Sequence, residues 1–192
     1  MDIKVTATRI PDVVMIDTDF FEDDRGFFIE SYHRETYAAH GICHQFVQDN
    51  HSKSRRGVLR GIHYQDDSAP MGKLVRCLRG AILDVAVDLR VGSPTFAQWV
   101  AVELDSDSKR QVMVPQGFGH AFVTLSDSAE VFYKCTGFYA PPAESTVAWN
   151  DPDIGVQWPI DDPILSARDL KGMSLQEYLL NPAFTYRPVE EG

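Results

Sequence analysis

At 192 residues, with 18 Lys and Arg against 28 Asp and Glu and a formal charge of -10, the chain carries a field that repels polynucleotides and anionic lipid. An apolar fraction of 44% with 24% charged residues excludes disordered and fibrous classes, and the length suits one domain over 1–192 with a core of its own. No apolar run of about 18 residues occurs and Met1–Ile16 lacks a basic segment followed by an apolar one, so a cytoplasmic location is expected, with neither nucleic acid nor membrane as partner. Cys43, Cys77 and Cys135 are odd in number and far apart, without CxxC spacing, and read as reduced thiols rather than a disulfide framework or zinc site.

Taken in chain order, the first predicted element is a short helix around Arg34 to His40, ended by Gly41. Strands follow with period-two patterning between Gly, Pro, Asp and Ser punctuation. In AILDVAVDL, Leu83, Val85, Val87 and Leu89 share one face and Asp84, Ala86 and Asp88 the other, predicting a packed face and a carboxylate face. TFAQWVAVEL, RQVMVP, HAFVTL and EVFYKCTGFY, rich in β-branched and aromatic residues, continue the series. A helix over Leu175–Leu180 follows Ser174 as N-cap, and about the last ten residues read as loosely ordered. The spacing predicts an all-β fold, a closed antiparallel double sheet with a few short peripheral helices.

Polar residues concentrate in FVQDNHSKSRRGVLRGIHYQ. Gln48, Asn50 and Ser52 share one strand face, as do His63 and Gln65 on the next; Arg60 has the opposite parity to His63, so a common pocket requires a bulge at Gly61. Taken alone, His63 is more often a hydrogen-bonded core or surface histidine than a catalytic base.

GVLRGIHYQ and PQGFGHAF resemble the two cupin signatures, through Gly57, His63, Pro115, Gly117 and His120. The metal-binding cupins need a second His two residues after the first. Here that position is Gln65, so no metal and no cofactor are expected.

The segments FEDDRGFFIESY, FVQDNHSKS, GVLRGIHYQ, GKLVRC, AILDVAVDLR, SPTFAQW, VPQGFGHAFVTLS, VFYK, WNDP and LSARD, in order from about Pro11 to Asp169, resemble the dTDP-4-dehydrorhamnose 3,5-epimerases. The resemblance implies a cupin (jelly-roll) antiparallel β-barrel that inverts C3 and C5 of a dTDP-linked 4-keto-6-deoxy sugar. Protons beside a ketone are weakly acidic, so their removal needs a base, a cation or donor at the enolate oxygen, and an acid across the ring. The family's base matches His63, its acid Tyr133 and its cation Lys73. Asp169 is its match for the carboxylate that orients the base, with Asp84 as second candidate; the Ser166–Asp169 spacing also fits a helix cap. For the nucleotide end the resemblance gives Arg25, Arg60 and Arg168 as charged ligands, and Glu30, Gln48, Asn50, His120 and Glu144 as polar ones. Phe28 and Tyr139 are stacking candidates, although an aromatic in a β domain is more often simply core. Arg168 stands where the family more usually has lysine. A homodimer is implied, with FEDDRGFF reaching a neighbour's pocket. Alternatives at this level are a single-position epimerase, a metal-dependent cupin enzyme and a non-catalytic sugar-nucleotide binder.

Overall fold

The computed structural model describes residues 1–188. Its strands are β1 (Ile3–Ala7), β2 (Val14–Thr18), β3 (Phe21–Asp23), β4 (Gly26–Phe28), β5 (Gln48–Arg55), β6 (Leu59–Gln65), β7 (Lys73–Arg79) and β8 (Ala81–Asp88), followed by β9 (Arg90–Val91), β10 (Trp99–Asp105), β11 (Gln111–Val114), β12 (Phe118–Thr124), β13 (Ser128–Cys135), β14 (Glu144–Thr146) and β15 (Phe184–Thr185). The helices are α1 (Arg34–Ala39) and α2 (Leu175–Leu180), with single 3-10 turns at Pro141–Ala143 and Asp169–Lys171. A six-stranded sheet runs β1-β2-β11-β7-β13-β5 and a five-stranded one β10-β8-β12-β6-β14, both antiparallel.

The sheets meet across an apolar layer in which Val75, Val112 and Val131 of one pack against Ala86, Val102 and Phe122 of the other. Each buried Val or Phe side chain in this layer contributes about 1.5–3 kcal/mol. β10, an edge strand, shows clean alternation: Val100, Val102 and Leu104 are buried while Ala101 and Glu103 face solvent. β8, by contrast, is packed on both faces. Val85 and Val87 join Ile154, Leu175, Tyr178 and Phe184 in a second apolar layer outside the five-stranded sheet, while Asp84 and Asp88 are buried with specific partners. A carboxylate face was expected there; the carboxylates are present but enclosed.

The all-β class holds, yet the expected barrel is open. Among the described residues no hydrogen-bonded ladder joins the two sheets. Edge strands β5 and β14 instead flank a cavity, with Asn50 and Ser52 on one and Glu144 on the other. Pairing these edges would close the space a ligand needs.

Both helices form where expected. Gly41, at φ +84°, donates its N–H to Ala38 O after α1. Ser174 and Glu177 form a reciprocal capping box at α2. Two strand boundaries differ from expectation. Thr95–Gln98 curls back rather than extending, because Asp88 accepts from Thr95 Oγ1 at 2.7 Å and its carbonyl accepts from Ala97 N at 2.8 Å. The strand through Tyr133 ends at Cys135, so Thr136–Tyr139 turns away from the sheet. Of the expected loose tail, residues 189–192 lie outside the described residues. Phe184, however, is buried, β15 pairs with β9, and the Tyr178 hydroxyl accepts from Phe184 N at 3.2 Å while donating to Leu89 O at 2.6 Å.

Candidate active site

The cavity lies between the sheets, where the core layer ends. β6 and β12 supply His63, Arg60 and His120 from one wall; β5, β7 and β13 supply Asn50, Lys73 and Tyr133 from the other; Tyr139, Glu144 and Arg168 form a rim. Arg60 and His63 share it despite their parity because β6 bulges: His120 pairs with His63 and Phe122 with Arg60, so two steps on β12 match three on β6. Gly61 sits in that bulge at φ +122°, and a Cβ there would fall 2.5 Å from Ala121 Cβ and from His120 O.

His63 Nε2 lies 2.5 Å from Asp169 Oδ1. The other oxygen of Asp169 accepts from Ser166 Oγ at 2.7 Å, and Ser166 Oγ accepts from Asp169 N at 3.1 Å. Asp169 thus meets His63 and Ser166 at once, but the expected helix cap does not form: the 3-10 turn Asp169–Lys171 has Arg168 at its N-cap with no side-chain cap bond, and Asp169 accepts from the Ser166 hydroxyl rather than from its backbone N–H. Asp84 also turns inward, but toward His120, whose Nε2 it meets at 2.8 Å. Each histidine has its own buried carboxylate. Among the described residues no group of three or more His, Cys, Asp and Glu is placed to hold a metal ion.

Electrostatics divide the roles. Burial pushes the His63 imidazole below its ordinary pKa; Asp169 opposes this, while Arg168 and Lys73 add to it. The ring is therefore neutral near pH 7. Burial also lowers Lys73, only partly offset by Cys135, Asp84 and Glu144. For Tyr133, burial raises the phenol further above neutrality, so it keeps its proton. Burial works against the Asp169 carboxylate too, but bonds from His63 and Ser166 hold its pKa below the usual range. Lys73 Nζ lies 5.8 Å from the Tyr133 ring centroid, which places cation and phenol side by side.

Because a base works only when deprotonated, the acid limb of kcat/KM is expected below pH 6.5, the ordinary imidazole value. Replacing Arg168 with Gln removes a cation that lowers the ring and should move that limb upward. A wild-type limb at or above 6.5 would assign the base to another group.

Not every expected residue reaches the cavity of its own chain. Gln48 lies one layer back, accepting from Tyr139 N at 3.0 Å and donating to Asn50 Oδ1 at 3.1 Å. Arg25 and Phe28 stand exposed on the β3–β4 hairpin, and among the described residues Arg25 pairs only with Asp23. The base of that hairpin is anchored by the Lys109 ammonium, 4.1 Å from the ring centroids of both Phe20 and Phe27. Glu30 follows the hairpin and also lies outside the cavity. Conversely, Ser52, Phe118, Phe122 and Met71 line the cavity without having been singled out as ligands. Ser52 shares strand parity with Asn50, and Phe118 and Phe122 share that of His120, so alternation carried the signal for these three.

A family model described as dTDP-4-dehydrorhamnose 3,5-epimerase matches residues 7–177. The dTDP-4-dehydrorhamnose 3,5-epimerase of Pseudomonas aeruginosa is 51% identical over 177 residues, covering 91% of this chain and 97% of that protein. That of Salmonella typhimurium is 50% identical over 178 residues, covering 92% and 97%. The crystal structure of a dTDP-6-deoxy-D-glucose-3,5-epimerase from Legionella pneumophila, in complex with dTDP-4-keto-L-rhamnose, superposes with a TM-score of 0.93 at 41% identity, covering 97% of this chain and 100% of that one. With its sequence, its double-sheet fold and its paired histidines accounted for together, the chain belongs to the dTDP-4-dehydrorhamnose 3,5-epimerase family.

Proposed function

We propose that the protein epimerises C3 and C5 of dTDP-4-dehydro-6-deoxy-D-glucose, giving dTDP-4-dehydro-L-rhamnose. The observation that carries this is the placement of His63 and Tyr133 on opposing sheets of one cavity, with Lys73 beside the phenol. Neutral His63 takes the proton from a carbon next to the C4 ketone. The electron pair moves onto the ketone oxygen, where the Lys73 ammonium balances the charge. Tyr133 then returns a proton to the same carbon from the other face, inverting it. The enolate collapses back to the ketone as its electron pair takes the new proton. The imidazolium and phenolate left behind return to neutral imidazole and phenol by proton exchange with solvent before the second carbon reacts. No electrons leave the sugar, so the reaction as drawn calls on no cofactor and no metal. One ketone activates both neighbouring carbons, so the same groups serve C3 and C5 as the ring shifts between two poses.

Arg60 and Arg168 are proposed to hold the diphosphate, since a guanidinium donates two parallel bonds to phosphate oxygens. Asn50, His120 and Glu144 supply polar contacts, and Tyr139 a platform for the thymine. Gln48 supports this wall from behind. Arg25, Phe28 and Glu30 are proposed to act across a homodimer, the hairpin being too far out to serve its own cavity. The single domain is proposed to work in the cytoplasm, where its substrate would be met in solution; no helix among the described residues is long and apolar enough to cross a membrane.

Incubating the protein with dTDP-4-dehydro-6-deoxy-D-glucose in heavy water and reading the product by NMR tests the proposal. Solvent deuterium is expected at both C3 and C5. A single labelled carbon would favour the single-position epimerase, and binding without any label would make the protein a sugar-nucleotide binder.

A further inference from the structure

Gln65 stands two residues beyond His63 on β6, is buried and borders the same cavity, yet its amide is not free for a ligand. Its Nε2 donates to Ala69 O at 2.7 Å and to Phe138 O at 3.2 Å, and its Oε1 accepts from Ala140 N at 2.8 Å. Both amide protons are used. These bonds tie the loop between β6 and β7 to the loop between β13 and β14. Tyr139 lies between the two residues held by Gln65, and its own N–H is held by Gln48. Three successive backbone positions are thus pinned by one glutamine from each sheet.

What this fixes is the rim. The Tyr139 phenol donates to Glu144 Oε2 at 2.7 Å, and the same oxygen accepts from Arg168 Nη1. Glu144 is itself the partner of Gln65 in the β14–β6 register, and Asp66 N donates to Ala143 O at 3.0 Å. A buried amide that satisfied only its own desolvation would need partners but not these partners. Here every bond runs to backbone on either side of a rim residue or its neighbouring loop.

We propose that Gln65 is a positioning residue for the nucleotide end of the substrate: it holds the 138–140 segment so that Tyr139, Glu144 and Arg168 form a preset wall. It touches no reacting atom. The inference rests on the reading of that rim as the dTDP side of the site.

The test compares wild type, Gln65→Glu and Gln65→Met for KM, kcat and deuterium exchange with dTDP-4-dehydro-6-deoxy-D-glucose at pH 8 and pH 6. In Gln65→Glu a carboxylate faces the carbonyls of Ala69 and Phe138, and KM is expected to rise about tenfold or more, with kcat within about threefold of wild type. At pH 6 this acid, raised by burial among acceptors, regains a proton to donate, and KM relative to wild type at the same pH should recover. The Met variant has no proton to regain, so its KM stays high at both pH values. Unchanged KM in both variants overturns the inference, as does a loss of kcat that exceeds the change in KM. Failure of both to fold, by circular dichroism, also overturns it, because the amide would then serve the fold and not the rim. An inactive wild-type protein would instead overturn the epimerase reading on which this one stands.

Discussion

His63→Ala is expected to lower turnover by at least about 10³-fold and to remove solvent-deuterium exchange at both C3 and C5. Both losses share one cause, since a single imidazole serves both carbons. His120 is the nearest alternative, but its Nε2 is taken by Asp84 and it is buried. Asp169→Asn tests the same base from behind. The asparagine keeps the volume and can keep its bond to Ser166, but turning its amide toward His63 Nε2 would favour the tautomer with the proton on Nδ1. The nitrogen meant to accept would then be blocked. A loss in kcat of about 10² to 10⁴-fold is expected, with KM little changed. The two variants are checked by initial rates and by NMR of exchange in heavy water. Wild-type exchange at either carbon in His63→Ala would remove the assignment for that carbon.

Much of this arrangement was legible in the sequence, for reasons that differ from residue to residue. Strand alternation placed Asn50 beside Ser52 and put Asp84 on the face of its strand opposite Val85 and Val87. The parity conflict between Arg60 and His63 identified Gly61 as a bulge, because two side chains of opposite parity reach one cavity only if the pleat is interrupted. Alternation says nothing, however, about pairs far apart in the chain. Which carboxylate serves which histidine depends on how β6, β8 and the turn at Asp169–Lys171 converge, and that is tertiary information. β1 and β2 passed unread because Ile3, Val13 and Ile16 become core only once α1, Tyr37 and Ile10 cover them. Gln65 shows the limit most clearly. The sequence marked it as a missing metal ligand, whereas its structural work lies in the backbone of loops whose paths no local pattern encodes. The open edges at β5 and β14 were likewise hidden, since strand composition alone does not tell a closed barrel from a sandwich held apart by a cavity.

Tyr133→Phe is expected to separate the two halves of the reaction. The phenylalanine keeps the ring that packs against the inter-sheet core and lies beside Lys73, so the cavity and the enolate-stabilising charge persist. His63 and Asp169 lie on the opposite side and are untouched. Removal of the proton should therefore continue, with exchange at C3 and C5 falling by less than about tenfold. Its return from the far face lacks a donor, so net inversion should fall by about 10²-fold or more. The enolate is then reprotonated by the imidazolium on the face it left, and because that proton mixes with solvent before returning, substrate acquires deuterium without changing configuration. NMR distinguishes the outcomes directly: labelled starting sugar with its original couplings supports the phenol as the acid, whereas exchange and inversion declining in equal proportion would mean that Tyr133 acts before the enolate forms. This is also the sharpest consequence of having built the site from two sheets. A base and an acid on the same strand would share one face of the sugar, and only opposing walls let proton removal and proton return occur on different sides of the same carbon.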